Sequence, residues 1–170
     1  GFLAGLFSCR ELALTPEPQM PAPAERVRLI PLLRAPLKDR NFRRLIAFLA
    51  SWQFAVNLAT PFFTVFFVKQ LGLSVTFVVV LSVVSQATNV LALRSWGLLS
   101  DRFANKSVLA VAAPLFIVCI AAMVGASQIH DRPWVMAYLV ALHALMGLAT
   151  AGVTLSSGNI ALKLSPRGSA

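Results

Sequence analysis

The side chains able to do chemistry are sorted by depth along this chain. All six carboxylates, Glu11, Glu17, Glu25, Asp39, Asp101 and Asp131, fall outside its long apolar runs, and the one ionisable group deep inside a run is His143. No nucleophile, base and orienting acid converge, so hydrolytic chemistry is unsupported and no catalytic residue is expected. Cys9 and Cys119 differ too much in depth to pair and show no metal-ligand spacing, so neither a disulfide, a metal nor a cofactor is expected. What remains is neutral hydrogen bonding at helical spacing. Gln53, Asn57, Thr60 and Thr64 share one helical face, as do Ser82, Ser85, Gln86 and Asn89, and as do His143, Gly147, Thr150 and Thr154. Such stripes either line a hydrated cavity or hold one helix to another. From the first reading, Gln53, Asn57, Gln86, Asn89, His143 and Thr150 are the candidate wall. His143 has two readings of its own, a proton-linked or solute-contacting group and a neutral packing residue.

The elements that carry these stripes must be membrane helices. Hydrophobic residues make up 58% of the 170 and charged ones only 12%, with a mean hydropathy of +0.76, which excludes an ordinary soluble domain. Four runs, at about 45–68, 73–93, 108–127 and 134–156, are long enough to cross a bilayer as helices. The expected fold is therefore an all-α integral membrane protein with four full spans. Pro61 should kink the first span, and Gly72 should let the chain reverse after it. The third span has no polar stripe, only Cys119 in its middle, and reads as lipid-facing. In the fourth, Ala144, Gly147, Ala151 and Gly152 would let a neighbouring backbone come close.

Residues 8–44 hold six of the ten prolines and read as an extended linker, leaving 45–170 as the bundle. The apolar residues 1–7 read as the tail of a preceding span rather than as a signal peptide, because no positive leader precedes them. The net charge of +9 is not a nucleic-acid footprint. Of the 15 lysines and arginines, only Lys69 and Arg132 fall on one side of the spans; the rest lie in 8–44, 94–107 and 157–170. That bias places those segments in the cytoplasm and 69–72 and 128–133 outside.

Between the second and third runs lies Gly97-Leu98-Leu99-Ser100-Asp101-Arg102-Phe103-Ala104-Asn105-Lys106, read as a short charged loop. It resembles the G-x-x-x-D-R-x-G-R-K signature of the major facilitator superfamily at Gly97, Asp101, Arg102 and Lys106. Ala104 stands where that family usually has glycine and Asn105 where it usually has arginine. The resemblance, over roughly residues 37–170, implies a bacterial-type secondary transporter of the cell (plasma or inner) membrane, working by alternating access. Its partners would be a small solute, a coupling proton, the lipid bilayer and the remaining helices of a longer protein. It further implies that the chain is a fragment covering the central linker and the first four helices of the second half, with Asp101 as a conformational latch. The alternative is a non-transporting helical bundle whose stripes only bind helices together.

Overall fold

The computed structural model describes Arg10, Leu14 and residues 37–164. The expected tail at 1–7 and most of the linker at 8–44 lie outside the described residues. Residues 37–164 fall in one compact unit and form four long helices, all apolar enough to cross a membrane: α1 (Arg40–Val65), α2 (Val75–Phe103), α3 (Asn105–Val124) and α4 (Arg132–Leu164). The fold is all-α.

The helices run past the apolar segments read from the sequence. α1 starts at Arg40 because Asp39 caps it, its carboxylate accepting from the Asn41 and Phe42 amides at 2.6 and 3.0 Å. The basic cluster Arg40, Arg43 and Arg44, expected in the linker, thus occupies the first turns of a helix. Pro61 sits inside α1 without ending it. A wider turn, Phe66–Gln70, follows, in which the Leu71 amide reaches back to the Phe66 carbonyl at 3.2 Å. Gly72 then reverses the chain with φ of +61°, and the Ser74 hydroxyl caps α2 by accepting from the Phe77 amide.

The segment read as a charged loop is instead helical almost throughout. α2 continues through Asp101, Arg102 and Phe103, and α3 begins at Asn105, so the reversal rests on Ala104 alone. Ala104 has φ of 72° and ψ of 149°, the one non-glycine residue with positive φ among those described. That region is nearly reserved for glycine, because a Cβ crowds the backbone there. The conformation usual for glycine persists here on an alanine.

α4 is the centre of the bundle. It packs along its length against α2 and α3, whereas α1 meets it lightly. At the α2 seam a Cβ on Gly147 would lie 2.1 Å from the Ser85 carbonyl oxygen, so the two backbones touch. A Cβ on Gly152 would lie 2.7 Å from that of Ala112 and 3.0 Å from the Trp96 ring. Of the four small residues expected to allow close approach, Gly147, Ala151 and Gly152 are buried and Ala144 is half-buried. Trp96 adds a bond across the seam, its indole N–H donating to the Leu148 carbonyl at 2.8 Å. On the α3 side, the Tyr138 hydroxyl donates to the Ala122 carbonyl at 2.7 Å. α3 buries Val108, Ala112, Phe116, Cys119 and Met123 on one stripe while Val111, Ile117, Val118 and Val124 stay exposed, as lipid-facing residues would be.

Because successive helices alternate in direction, the start of α1, the α2–α3 reversal and the end of α4 share one face of the bundle. It carries Lys38, Arg40, Arg43, Arg44, Arg94, Arg102, Lys106 and Lys163 and is called the basic face below. At the opposite face the Arg132 guanidinium donates to the Gly72 carbonyl at 3.0 Å, tying the α1–α2 turn to the start of α4.

Candidate functional site

Where α1 stands off from the other helices, a cleft of about 370 Å³ opens. Its polar wall is Gln53 and Thr60 from α1, Ser82, Ser85 and Gln86 from α2, and His143, Thr150 and Thr154 from α4. Its apolar wall includes Trp52, Val56, Phe63, Phe116, Ile120 and Met146. The volume falls within the range of small-molecule sites, and among the described residues no carboxylate, lysine or arginine lines it. Such a wall offers neutral donors and acceptors around an apolar body.

Of the six expected wall residues, Gln53, Gln86, His143 and Thr150 meet in this cleft, and Asn57 and Asn89 do not line it. Asn57 is turned about 40° around the helix from Gln53. It is exposed, and its amide donates to the Gln53 carbonyl at 2.7 Å. Asn89, half-buried on the same stripe of α2, does not line the cleft. Thr60, Ser82, Ser85 and Thr154 belong to the same stripes and were omitted from the expected wall. Trp52, Phe63, Phe116, Ile120 and Met146 were missed because an apolar residue in an apolar run carries no periodic signal. Trp52 alone offered one, a tryptophan well inside a span. Its ring meets that of Phe116 at 4.7 Å between centroids, inclined by 50°. α3, read as facing only lipid, therefore supplies part of the cleft's apolar wall.

The stripe residues have a common hydrogen-bonding habit. Thr60 donates to the Val56 carbonyl at 2.8 Å, Thr64 to Thr60 at 3.1 Å, Ser82 to Val78 at 3.3 Å and Thr150 to Met146 at 2.8 Å. Each bond turns back one turn on its own helix. His143 does the same, Nδ1 lying 2.8 Å from the Leu139 carbonyl. In the neutral ring Nδ1–H then donates and Nε2 is left as an acceptor. The His143 ring also packs near Phe67, 5.8 Å between centroids, so both of its readings have a physical basis here. Among the described residues, the side-chain bonds that cross between elements come from outside the stripes, namely from Trp96, Tyr138, Arg132 and the cluster of Ser100, Asn105 and Asn159.

The signature residues sit at the basic face. Gly97, Asp101 and Arg102 occupy the last turns of α2 and Lys106 the first turn of α3. Asp101, Arg102 and Lys106 are exposed, and the Arg102 guanidinium lies 5.3 Å over the Phe103 ring. A Cβ on Gly97 would meet nothing within 4 Å, so no described helix presses on it. Asn105, at the usual arginine's position, is 5% exposed and accepts from both the Ser100 hydroxyl and, at 3.2 Å, the Asn159 amide. The reversal is thereby fastened to the end of α4 by a neutral cluster.

A bundle of four helices long and apolar enough to cross a bilayer defines a multi-pass membrane protein. The family model of the Major Facilitator Superfamily matches residues 1–170, and the chain belongs to that family. Its members are membrane transporters and not enzymes. The match runs through the proline-rich segment as well as the four helices. Searches among curated proteins and among solved structures returned no match.

Proposed function

We propose that the chain is part of a secondary transporter that moves a small, largely uncharged solute by alternating access, with the α1–α4 cleft as its share of the binding site. The observation that carries this reading is the stripe hydrogen bonding. If Gln53, Thr60, Ser82, Gln86 and Thr150 served to join helices, their bonds would run across seams, yet those of Thr60, Ser82 and Thr150 turn back on their own helices. That keeps the hydroxyls satisfied in an apolar setting while leaving their oxygens free to accept from a solute. Purified intact protein in lipid vesicles should show saturable, solute-dependent flux across a panel of sugars, amino acids and amphipathic drugs. Absence of flux with every class, in protein that stays folded, would remove the reading.

In this proposal the four helices are the first four of the second half of the fold, the residues before them being the central linker, and the basic face is cytoplasmic in the cell membrane. The charge bias supports that orientation. Cysteines introduced at Lys69 and Arg132, with Cys9 and Cys119 replaced, should react with an impermeant reagent applied outside intact cells. Labelling only after permeabilisation would invert the orientation. His143 Nε2 is the group in this chain best placed to take a coupling proton. Asp101, exposed at the end of α2, serves as a latch toward other helices of the intact protein, favouring the state closed on the cytoplasmic side by roughly 1–3 kcal/mol. Asp101→Asn should leave insertion intact, open that side to a reporter cysteine near Ser157 and slow turnover more than binding. Unchanged turnover and unchanged accessibility would eliminate the latch.

A further inference from the structure

A second cavity, of about 360 Å³, opens at the basic face between α1, α3 and the end of α4. Arg44, Lys106 and Asn41 stand around it above an apolar floor that includes Phe48 and Leu109. Among the described residues no carboxylate lines it, and Asp39, the acid nearest Arg44 in sequence, is engaged in capping α1. α3 begins beside Lys106 without a side-chain cap, so its first free amides add to the positive field. Phe48 also lines a further cavity, of about 240 Å³, that follows the gap between α1 and α3 deeper into the bundle past Ala55 and Ile117. Phe48 lines both, so an apolar track leads from the cationic mouth along the outer side of the cleft's apolar wall, where it meets Trp52, Val56, Phe116 and Ile120. From Arg44 to Ala55 along α1 is about 16 Å. That is close to half the hydrocarbon thickness of a bilayer, the distance from headgroup to midplane.

We propose that this groove seats one anionic phospholipid from the leaflet at the basic face. Its phosphate sits between Arg44 and Lys106 with the Asn41 amide as a further donor, and one acyl chain runs down the track past Phe48 and Ala55. A free phosphate would use the mouth and leave the track empty; the matched length of the track is what assigns a lipid. The track shares Trp52, Val56, Phe116 and Ile120 with the apolar wall of the polar cleft, but the site uses none of the cleft's polar residues.

Native mass spectrometry of the intact protein, released from mixed phosphatidylglycerol and phosphatidylcholine, tests this. The wild type should retain the anionic lipid preferentially. Arg44→Gln or Lys106→Gln should each cut that preference by about fivefold, the ratio expected for one cation near a membrane surface. Arg43→Gln removes the same charge from the same helix end but outside the groove, and should leave the preference unchanged. Ala55→Phe, which fills the track and keeps every charge, should also lower retention. Millimolar inorganic phosphate should not displace the bound lipid. The proposal is overturned if Arg43→Gln matches Arg44→Gln, if Ala55→Phe has no effect, if phosphate displaces the lipid, or if the wild type shows no preference, as it would with a protein helix filling the groove.

Discussion

The seam between α2 and α4 and the gap between α1 and α4 are two solutions to placing polar helices in an apolar medium. In the seam, contact is made by removal: Gly147 and Gly152 lack the side chains that would hold the backbones apart, and one indole bond locks the register. Across the gap Thr60, Ser82, His143 and Thr150 hydrogen-bond within their own helices. The contrast extends to burial, with 39% of the apolar stretch of α4 buried in the bundle against 6% of that of α1. The closest backbone approach is made by small residues, and the stripe residues whose side chains hydrogen-bond do so within their own helices.

That contrast can be broken from either side. The largest effect should follow Gly147→Leu, which drives a side chain into the Ser85 carbonyl and must part α2 from α4. We expect a loss of about 3 kcal/mol or more, seen as a large fall in melting temperature of the detergent-solubilised intact protein. A melting temperature within a degree or two of wild type would mean that the seam is not as close as described.

A smaller effect, of opposite sign, should come from the α2–α3 reversal. Ala104→Gly removes the Cβ from a backbone conformation that disfavours it, and should stabilise the protein by about 1 kcal/mol, read as a raised melting temperature. No gain would show that the neutral cluster of Ser100, Asn105 and Asn159, rather than the backbone preference of residue 104, governs the reversal.

Much of this arrangement was legible in the sequence because bilayer physics leaves few choices. Four apolar runs of sufficient length could only be helices, and polar residues at helical spacing had to share a face. Gly147, Ala151 and Gly152 were legible as points of close contact for the same reason. The helix ends were not, because hydropathy records only the hydrocarbon zone. Arg40–Arg44, Ser100–Phe103 and Ser157–Leu164 remain helical while leaving it. Spacing alone did not separate Asn57 and Asn89 from the cleft-lining residues, because periodicity groups residues on a face without saying which of them reach an open space. The role of Asn105 was hidden in a different way: its partner Asn159 lies on another helix, and nothing local in the sequence brings the two together.

The central claim, that the stripes face a solute rather than each other, is tested most directly by Gln53→Met and Gln86→Met, which keep side-chain length and remove the amide. Flux and melting temperature should be measured on the same preparations of intact protein. The account predicts that each substitution lowers flux per folded molecule by about tenfold, the worth of one or two hydrogen bonds, and leaves the melting temperature unchanged. A lowered melting temperature with unchanged flux per folded molecule would contradict it, and would return these residues to the role of holding helices together.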